Sequence, residues 1–167
     1  SVNNSRFYTR LAQKLIHFLS TRTNLGLLYE VDMRLRPSGS SGLLVSHIDA
    51  YNEYQQDSAW TWEHQALIRA RCVAGDRQLS QSFLAIRESA LKKSREPDVL
   101  RKDVQEMRVK MREQLEQKAS DKVDLKQSPG GLVDIEFLSQ YAVLAYRGNQ
   151  PIPHSTAECL KFAGDYE

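Results

Sequence analysis

Glu30, Asp32, Arg34 and Arg36 alternate with Tyr29, Val31, Met33 and Leu35 over one short stretch of the chain. A period of two belongs to a β-strand, so the four charges share one face and the apolar residues the other. Two carboxylates beside two guanidinium groups, just ahead of the loop Ser38-Gly39-Ser40-Ser41-Gly42, suit a metal–phosphate site. Mg²⁺ takes hard oxygen ligands, and arginine grips phosphate oxygens through a planar fork. The readier reading of the pattern alone is a solvated strand face carrying cross-strand ion pairs. One carboxylate strand names no reaction.

Trp60, Trp62, Glu63 and His64 form a second cluster. An aromatic ring beside a carboxylate and an imidazole can stack a base or relay a proton. Yet Trp60, Glu63 and Leu67 fit helical spacing, and tryptophans commonly anchor a core, so a structural role is favoured for them. Arg69 and Arg71 lie two apart on the same expected helix and point in different directions; at most one faces a site. Asp134 and Glu136 follow Gly130-Gly131, close to a helix start. There a carboxylate gains about 0.3–1 kcal/mol from the helix dipole. A second acidic contribution, to metal binding or to a partner surface, is the functional alternative, and the residues alone do not choose. His17, His47 and His154 are isolated and read as structural or surface residues. Cys72 and Cys159 form neither a disulfide framework nor a zinc pattern.

The elements that position these residues follow from periodicity. Phe7, Leu11, Leu15 and Phe18 predict an amphipathic helix over 6–21. The strand over 27–37 ends at Pro37, and after the loop a short apolar Leu43-Leu44-Val45 completes a hairpin. Ser46 with Asp49 resembles a capping box opening a short helix through Ile48, Tyr51 and Tyr54. Further helices are expected over 59–74, from Asp76 onward burying Leu79, Phe83, Ile86 and Ala90, and from Pro97 onward. The last of these has a seam of Leu100, Val104, Met107, Met111 and Leu115. Ser128-Pro129-Gly130-Gly131 breaks the chain before a helix over 132–147 with Ile135, Leu138 and Ala142 on one side. Pro151 and Pro153 end it, and the last dozen residues look weakly helical. The fold class is α+β, a partial sheet followed by a mainly helical bundle.

Of the 167 residues 41% are hydrophobic, enough to bury a core at this length. Lys and Arg number 23 against 21 Asp and Glu, a net charge of +2, which argues against a dedicated nucleic-acid grip. No apolar run approaches the roughly 18 residues of a membrane span, and the N-terminal residues lack the layout of a signal peptide. With two separate thiols, a reducing, cytoplasmic setting is the expectation. The missing initiator Met and the ending at Gly164-Asp165-Tyr166-Glu167, after an apolar stretch, lead us to expect an excised fragment.

The segment Leu28-Tyr29-Glu30-Val31-Asp32-Met33-Arg34-Leu35-Arg36-Pro37-Ser38-Gly39 resembles the bacterial glutamine synthetase adenylyltransferases, two-headed enzymes that add and remove AMP on a tyrosine of glutamine synthetase. The resemblance extends to Ser20–Thr23, to Trp60-Thr61-Trp62-Glu63-His64-Gln65-Ala66-Leu67 and to Gly130-Gly131-Leu132-Val133-Asp134-Ile135-Glu136-Phe137. It covers the chain from about Phe7 to Tyr146. That family carries two nucleotidyltransferase domains of the polymerase-beta type, each followed by helices, and the wording here resembles the C-terminal, AMP-transferring copy. By this likeness residues 1–75 are the later part of a nucleotidyltransferase domain and residues 76–167 a helical region. Mg²⁺ and ATP are the implied cofactor and substrate, and glutamine synthetase, the PII signal protein and glutamine the implied partners. Three carboxylates hold two Mg²⁺ ions in the superfamily, clamping the attacking and leaving oxygens of an in-line displacement. Asp32 matches the third of them. Arg34 or Arg36 would neutralise phosphate charge, and Glu30 would support Asp32 or form an ion pair. Glu63, Arg69, Asp134 and Glu136 are candidates for a secondary site. The family's Gly-Ser-x-Asp-x-Asp motif, which supplies the other two carboxylates, does not occur in this sequence. The fragment alone is therefore expected to be inactive. The alternatives are the AMP-removing head and a non-catalytic helical module that docks glutamine synthetase.

Overall fold

The computed structural model describes residues 3–116 and 124–165. The chain divides into two compact units, Ser1–Ser58 and Ala59–Glu167.

In the first unit, helix α1 spans Asn4–Ser20, opened by the Asn3 side chain, which accepts a hydrogen bond from the Arg6 amide at 3.2 Å. An asparagine oxygen here satisfies one of the helix's orphan donors. The apolar stripe expected from the spacing is present but uncovered: Phe7, Leu11, Leu15 and Phe18 are all exposed. A tight antiparallel hairpin follows, β1 (Arg22–Thr23) paired with β2 (Gly26–Leu27). Gly26, at φ 108°, supplies a backbone conformation that other residues resist.

The strand expected over 27–37 is not formed beyond Leu27. Among the described residues the only ladder is β1–β2, and residues 29–33 run as an irregular segment before turns begin at Arg34. Alternation supplies two faces but not a partner, and a strand exists only when a neighbour takes up its hydrogen bonds. Val31 and Met33 are half-buried, whereas Tyr29 and Leu35 are exposed. The expected return strand at Leu43–Val45 is absent too. In its place Gly39–Ser41 makes one 3-10 turn. Helix α2 (Ile48–Asp57) starts one residue later than expected, capped by His47, whose Nδ1 accepts from the Asp49 amide at 3.3 Å, and not by Ser46.

The second unit is helical. Helix α3 is shorter than its apolar pattern, Thr61–Ile68 and not 59–74. Helix α4 (Arg77–Lys92) opens at Asp76, whose carboxylate accepts from the Leu79 amide at 2.8 Å. Ile86 and Ala90 are buried as their spacing requires, but Leu79 is exposed and Phe83 only half-buried. Helix α5 covers Pro97–Glu116, with Leu100 and Val104 buried and Met107 and Met111 half-buried. The side chain of Leu115 lies outside the described residues. Helix α6 (Leu132–Tyr146) buries Ala142 of the side expected to face inward, but not the rest of that side. Val133, Ser139, Ala142, Val143 and Leu144 are buried, while Leu138 and Ile135 lie outside. Helix α7 (Thr156–Gly164), capped by Ser155, packs against it. Ile68, Ala90, Val143 and Cys159 form the driest part of the shared core. Burying a side chain such as Ile68 contributes about 1.5–3 kcal/mol.

Three arginines secure the ends of these helices. Arg87 donates to the carbonyls of Leu67, at 2.7 Å, and Ile68, where α3 stops. Arg95 donates to the Ala90 carbonyl at 2.9 Å near the end of α4, and its Nη2 lies 3.0 Å from His64 Nδ1. Arg147, just past α6, donates to the Gln150 carbonyl at 2.6 Å and pairs with Glu88 at 3.0 Å. Cations favour helix C-termini, where unpaired carbonyls concentrate negative charge. Burial is the main force lowering the pKa of Arg87 and Arg95, with the charge of nearby Arg147 adding to it.

Candidate functional site

The candidate residues fall in both units. Glu30, Asp32, Arg34 and Arg36 belong to the first; Glu63, Arg69, Asp134 and Glu136 belong to the second.

In the first unit the chain folds back on itself at Asp32. One carboxylate oxygen accepts from the Arg34 amide at 2.9 Å, a local turn that aspartate favours. The Arg34 guanidinium then closes on both oxygens, with Nε 3.0 Å from Oδ1 and 2.9 Å from Oδ2, and Nη2 2.6 Å from Oδ2. The Arg34 guanidinium, and then its amide, hold the Asp32 pKa down at about 2. The same contact raises that of Arg34. Both side chains stay open to solvent, so the ion pair lies on an accessible surface. Glu30 is exposed.

Arg36 points the other way. Its guanidinium donates to the carbonyls of Met33 at 2.7 Å, Ser40 at 3.1 Å and Gly42 at 3.2 Å. It thereby ties down the loop that follows Pro37. Ser38 sits at φ 59°, the left-handed region, and its amide donates to the Tyr54 hydroxyl at 3.1 Å. The backbone passes so close at Gly42 that an added Cβ would lie 1.8 Å from the Pro37 oxygen. Thus Arg34 engages the acidic residue, while Arg36 shapes the Pro-Ser-Gly turn.

In the second unit the candidates separate into different contacts. Glu63 caps its own helix, accepting from the Trp60 amide at 2.9 Å. Trp60 itself is exposed and Trp62 half-buried, so Trp60 does not anchor the core. Arg69 and Glu136 do meet, at 2.9 Å, and Glu136 also accepts from Thr156 at 3.5 Å, which links the end of α3 to α6 and α7. Asp134 is the hub of a separate group. It accepts from the Gly130 amide at 2.7 Å, from Arg108 Nε, and from Arg112 at 3.4 Å. Arg108 first, then the Gly130 amide, lower its pKa. The Gly-Gly step makes this possible: Gly130 takes φ 78°, and a Cβ on Gly131 would lie 2.7 Å from the Leu125 oxygen.

Sequence reading missed Arg108, which sits four residues past Val104 on the seam side of α5 and is buried. A guanidinium beside an apolar stripe was the available signal. Arg87 and Arg147, also buried, gave no local sign because their partners lie far along the chain.

Among the described residues no group of three or more His, Cys, Asp or Glu could hold a metal ion. Asp32 offers one carboxylate, already engaged by Arg34. These residues do not by themselves make a Mg²⁺ site.

Comparison with known proteins adds a second line. Residues 1–86 match the family model described as Glutamate-ammonia ligase adenylyltransferase, and residues 101–163 match that described as GlnD PII-uridylyltransferase. A curated relative from Pseudomonas aeruginosa, the "Bifunctional glutamine synthetase adenylyltransferase/adenylyl-removing enzyme", is 52% identical over 163 residues. That match takes in 90% of this chain and 17% of the relative, so the chain spans about one sixth of the relative's length. The first family match covers 86 of 167 residues, and the chain belongs to the glutamate-ammonia ligase adenylyltransferase family.

Proposed function

We propose that the chain is part of the AMP-transferring half of an enzyme that adenylylates glutamine synthetase on a tyrosine, using ATP. The observation carrying this reading is the run from Tyr29 to Gly39. There an aspartate held as an anion is followed by a loop braced by Arg36, inside a segment that matches the adenylyltransferase family. In this reading residues 1–75 complete a nucleotidyltransferase domain and residues 76–167 form the helical region behind it. Asp32 would contribute one carboxylate to holding Mg²⁺, two further carboxylates would come from elsewhere in the enzyme, and the ion would supply positive charge against the phosphates. Arg34, exposed and among the described residues paired only with Asp32 through its guanidinium, would exchange that carboxylate for a phosphate oxygen; Arg36 keeps its loop in shape. The 167-residue chain alone does not transfer AMP, because its sequence lacks the Gly-Ser-x-Asp-x-Asp motif. The expected setting is the cytoplasm, with the PII protein and glutamine as regulators.

The test uses a full-length enzyme containing this segment, with the other half inactivated. Labelled AMP passing from ATP to glutamine synthetase supports the reading. Phosphate-dependent release of ADP from adenylylated glutamine synthetase, without transfer, would assign the segment to the AMP-removing half. Neither activity, together with retention of glutamine synthetase by the segment, would make it a docking module.

A further inference from the structure

A cleft of about 530 Å³ opens between α5 and α6 within the second unit. Its walls are largely apolar, from Val109, Phe137, Leu138 and Tyr141, and at one side stand Arg108, Arg112 and Asp134. Volume and lining both suit a small molecule, since ligand pockets commonly combine apolar walls with a few polar groups in about 300–1,000 Å³.

The polar side of the cleft is out of balance. Two guanidinium groups share one carboxylate, Asp134. Among the described residues Arg108 Nη1 and Arg112 Nε are buried with no acceptor, and the Arg108 side chain is only 8% exposed. Buried donors left without an acceptor are unfavourable, and two cations sharing one carboxylate can take a further anionic oxygen. Leu138 and Val109 meanwhile remain open to solvent beside them.

We propose that this cleft binds a small amphipathic anion, a single carboxylate on an apolar body. The carboxylate accepts from Arg108 and Arg112, and the chain or ring lies along Phe137, Leu138 and Tyr141. The site lies within the second unit and Asp32 within the first, and the site's existence does not depend on which reaction the enzyme performs. Among the described residues Gln127 Oε1 is also buried without a partner, while the Gln127 carbonyl accepts from Arg108 at 2.7 Å. A trapped water serving Arg108 and Gln127 is thus the competing occupant.

Titration of the 167-residue chain with octanoate, followed by amide resonances, tests the proposal. Saturable shifts centred on Val109, Asp134 and Leu138 are expected. Octanol should bind about tenfold more weakly, and Arg112→Gln should weaken octanoate by about tenfold. Leu138→Glu, at an exposed position, should weaken it as well. Equal binding of octanol and octanoate would overturn the anion requirement. Shifts elsewhere, no saturation, or indifference to both cleft variants would overturn the site, the last two being what a trapped water gives.

Discussion

Arg34 grips Asp32 through both carboxylate oxygens while its own backbone amide holds one of them at 2.9 Å. The pair is only two residues apart in sequence, so the contact forms locally and does not wait for a folded core. The arginine favours the charged form of the carboxylate. Any phosphate arriving at the same place would find the arginine already present.

The first prediction concerns its titration. The folded pKa, about 2, is below the ordinary aspartate value of about 3.9. The pair's contribution is therefore present above about pH 4 and lost as pH falls through about 2. Carbon-detected titration of the Asp32 carboxyl should show a midpoint near 2, moving up toward the ordinary range in Arg34→Gln. A wild-type midpoint near 4 would contradict the grip.

Arg36 should matter for shape. Replacing it with Gln removes a charged donor from three carbonyls, and hydrogen bonds to charged groups contribute about 1.5–3 kcal/mol each when well sheltered, less here. Amides between Ser38 and Gly42 should exchange with solvent markedly faster in Arg36→Gln. Gly42→Ala should do the same by a steric route, because the added methyl has no room beside Pro37. Unchanged exchange in both would mean the loop is held by something else.

Much of the helical unit was legible in the sequence, and the reason is local chemistry. Asp76 and Pro97 mark helix starts through their own side chains, and Gly130-Gly131 marks a turn that other residues would strain. The strand at 27–37 misled because alternation is a property of the segment, whereas a ladder is a property of two segments. The inward face of α6 was partly misjudged for a related reason. Ile135 and Leu138 fit the apolar period with Ala142, but of these only Ala142 is buried, and the neighbours from α5 and α7 select Ser139 and Val143 beside it. The candidate site divides the same way: the Asp32–Arg34 pair is near enough in sequence to suspect, while Arg69–Glu136 and Arg108–Asp134 join residues far apart along the chain.

Arg147 gives a prediction about stability. Its side chain is 1% exposed, and Glu88 is its carboxylate partner. Glu88→Gln leaves a buried cation without that compensation and should lower stability by about 1–3 kcal/mol, discounted because Glu88 is itself half exposed. Adding Arg147→Met to Glu88→Gln should recover part of the loss, since both charges are then gone. Thermal unfolding of the single and double variants decides it; a double variant no more stable than Glu88→Gln alone would contradict the account.

Asp134 ties α5 to the start of α6. Asp134→Asn should destabilise the second unit by about 2–4 kcal/mol by leaving two arginines without their anion. Because its folded pKa is lowered, its contribution is present above the ordinary carboxylate range and disappears as pH falls below it. The pH dependence of unfolding should therefore flatten at acid pH in Asp134→Asn relative to the unaltered chain. An identical slope in the two would show that Asp134 carries no such linkage.

The central claim, that Asp32 serves AMP transfer, is tested most directly by Asp32→Asn in a full-length enzyme carrying this segment. The substitution keeps the side chain's shape and removes its charge, and circular dichroism checks that the fold survives. The account predicts that transfer of AMP to glutamine synthetase falls by roughly a hundredfold or more with the fold intact. Transfer at the unaltered rate would make Asp32 and its arginine a surface ion pair with no part in the reaction.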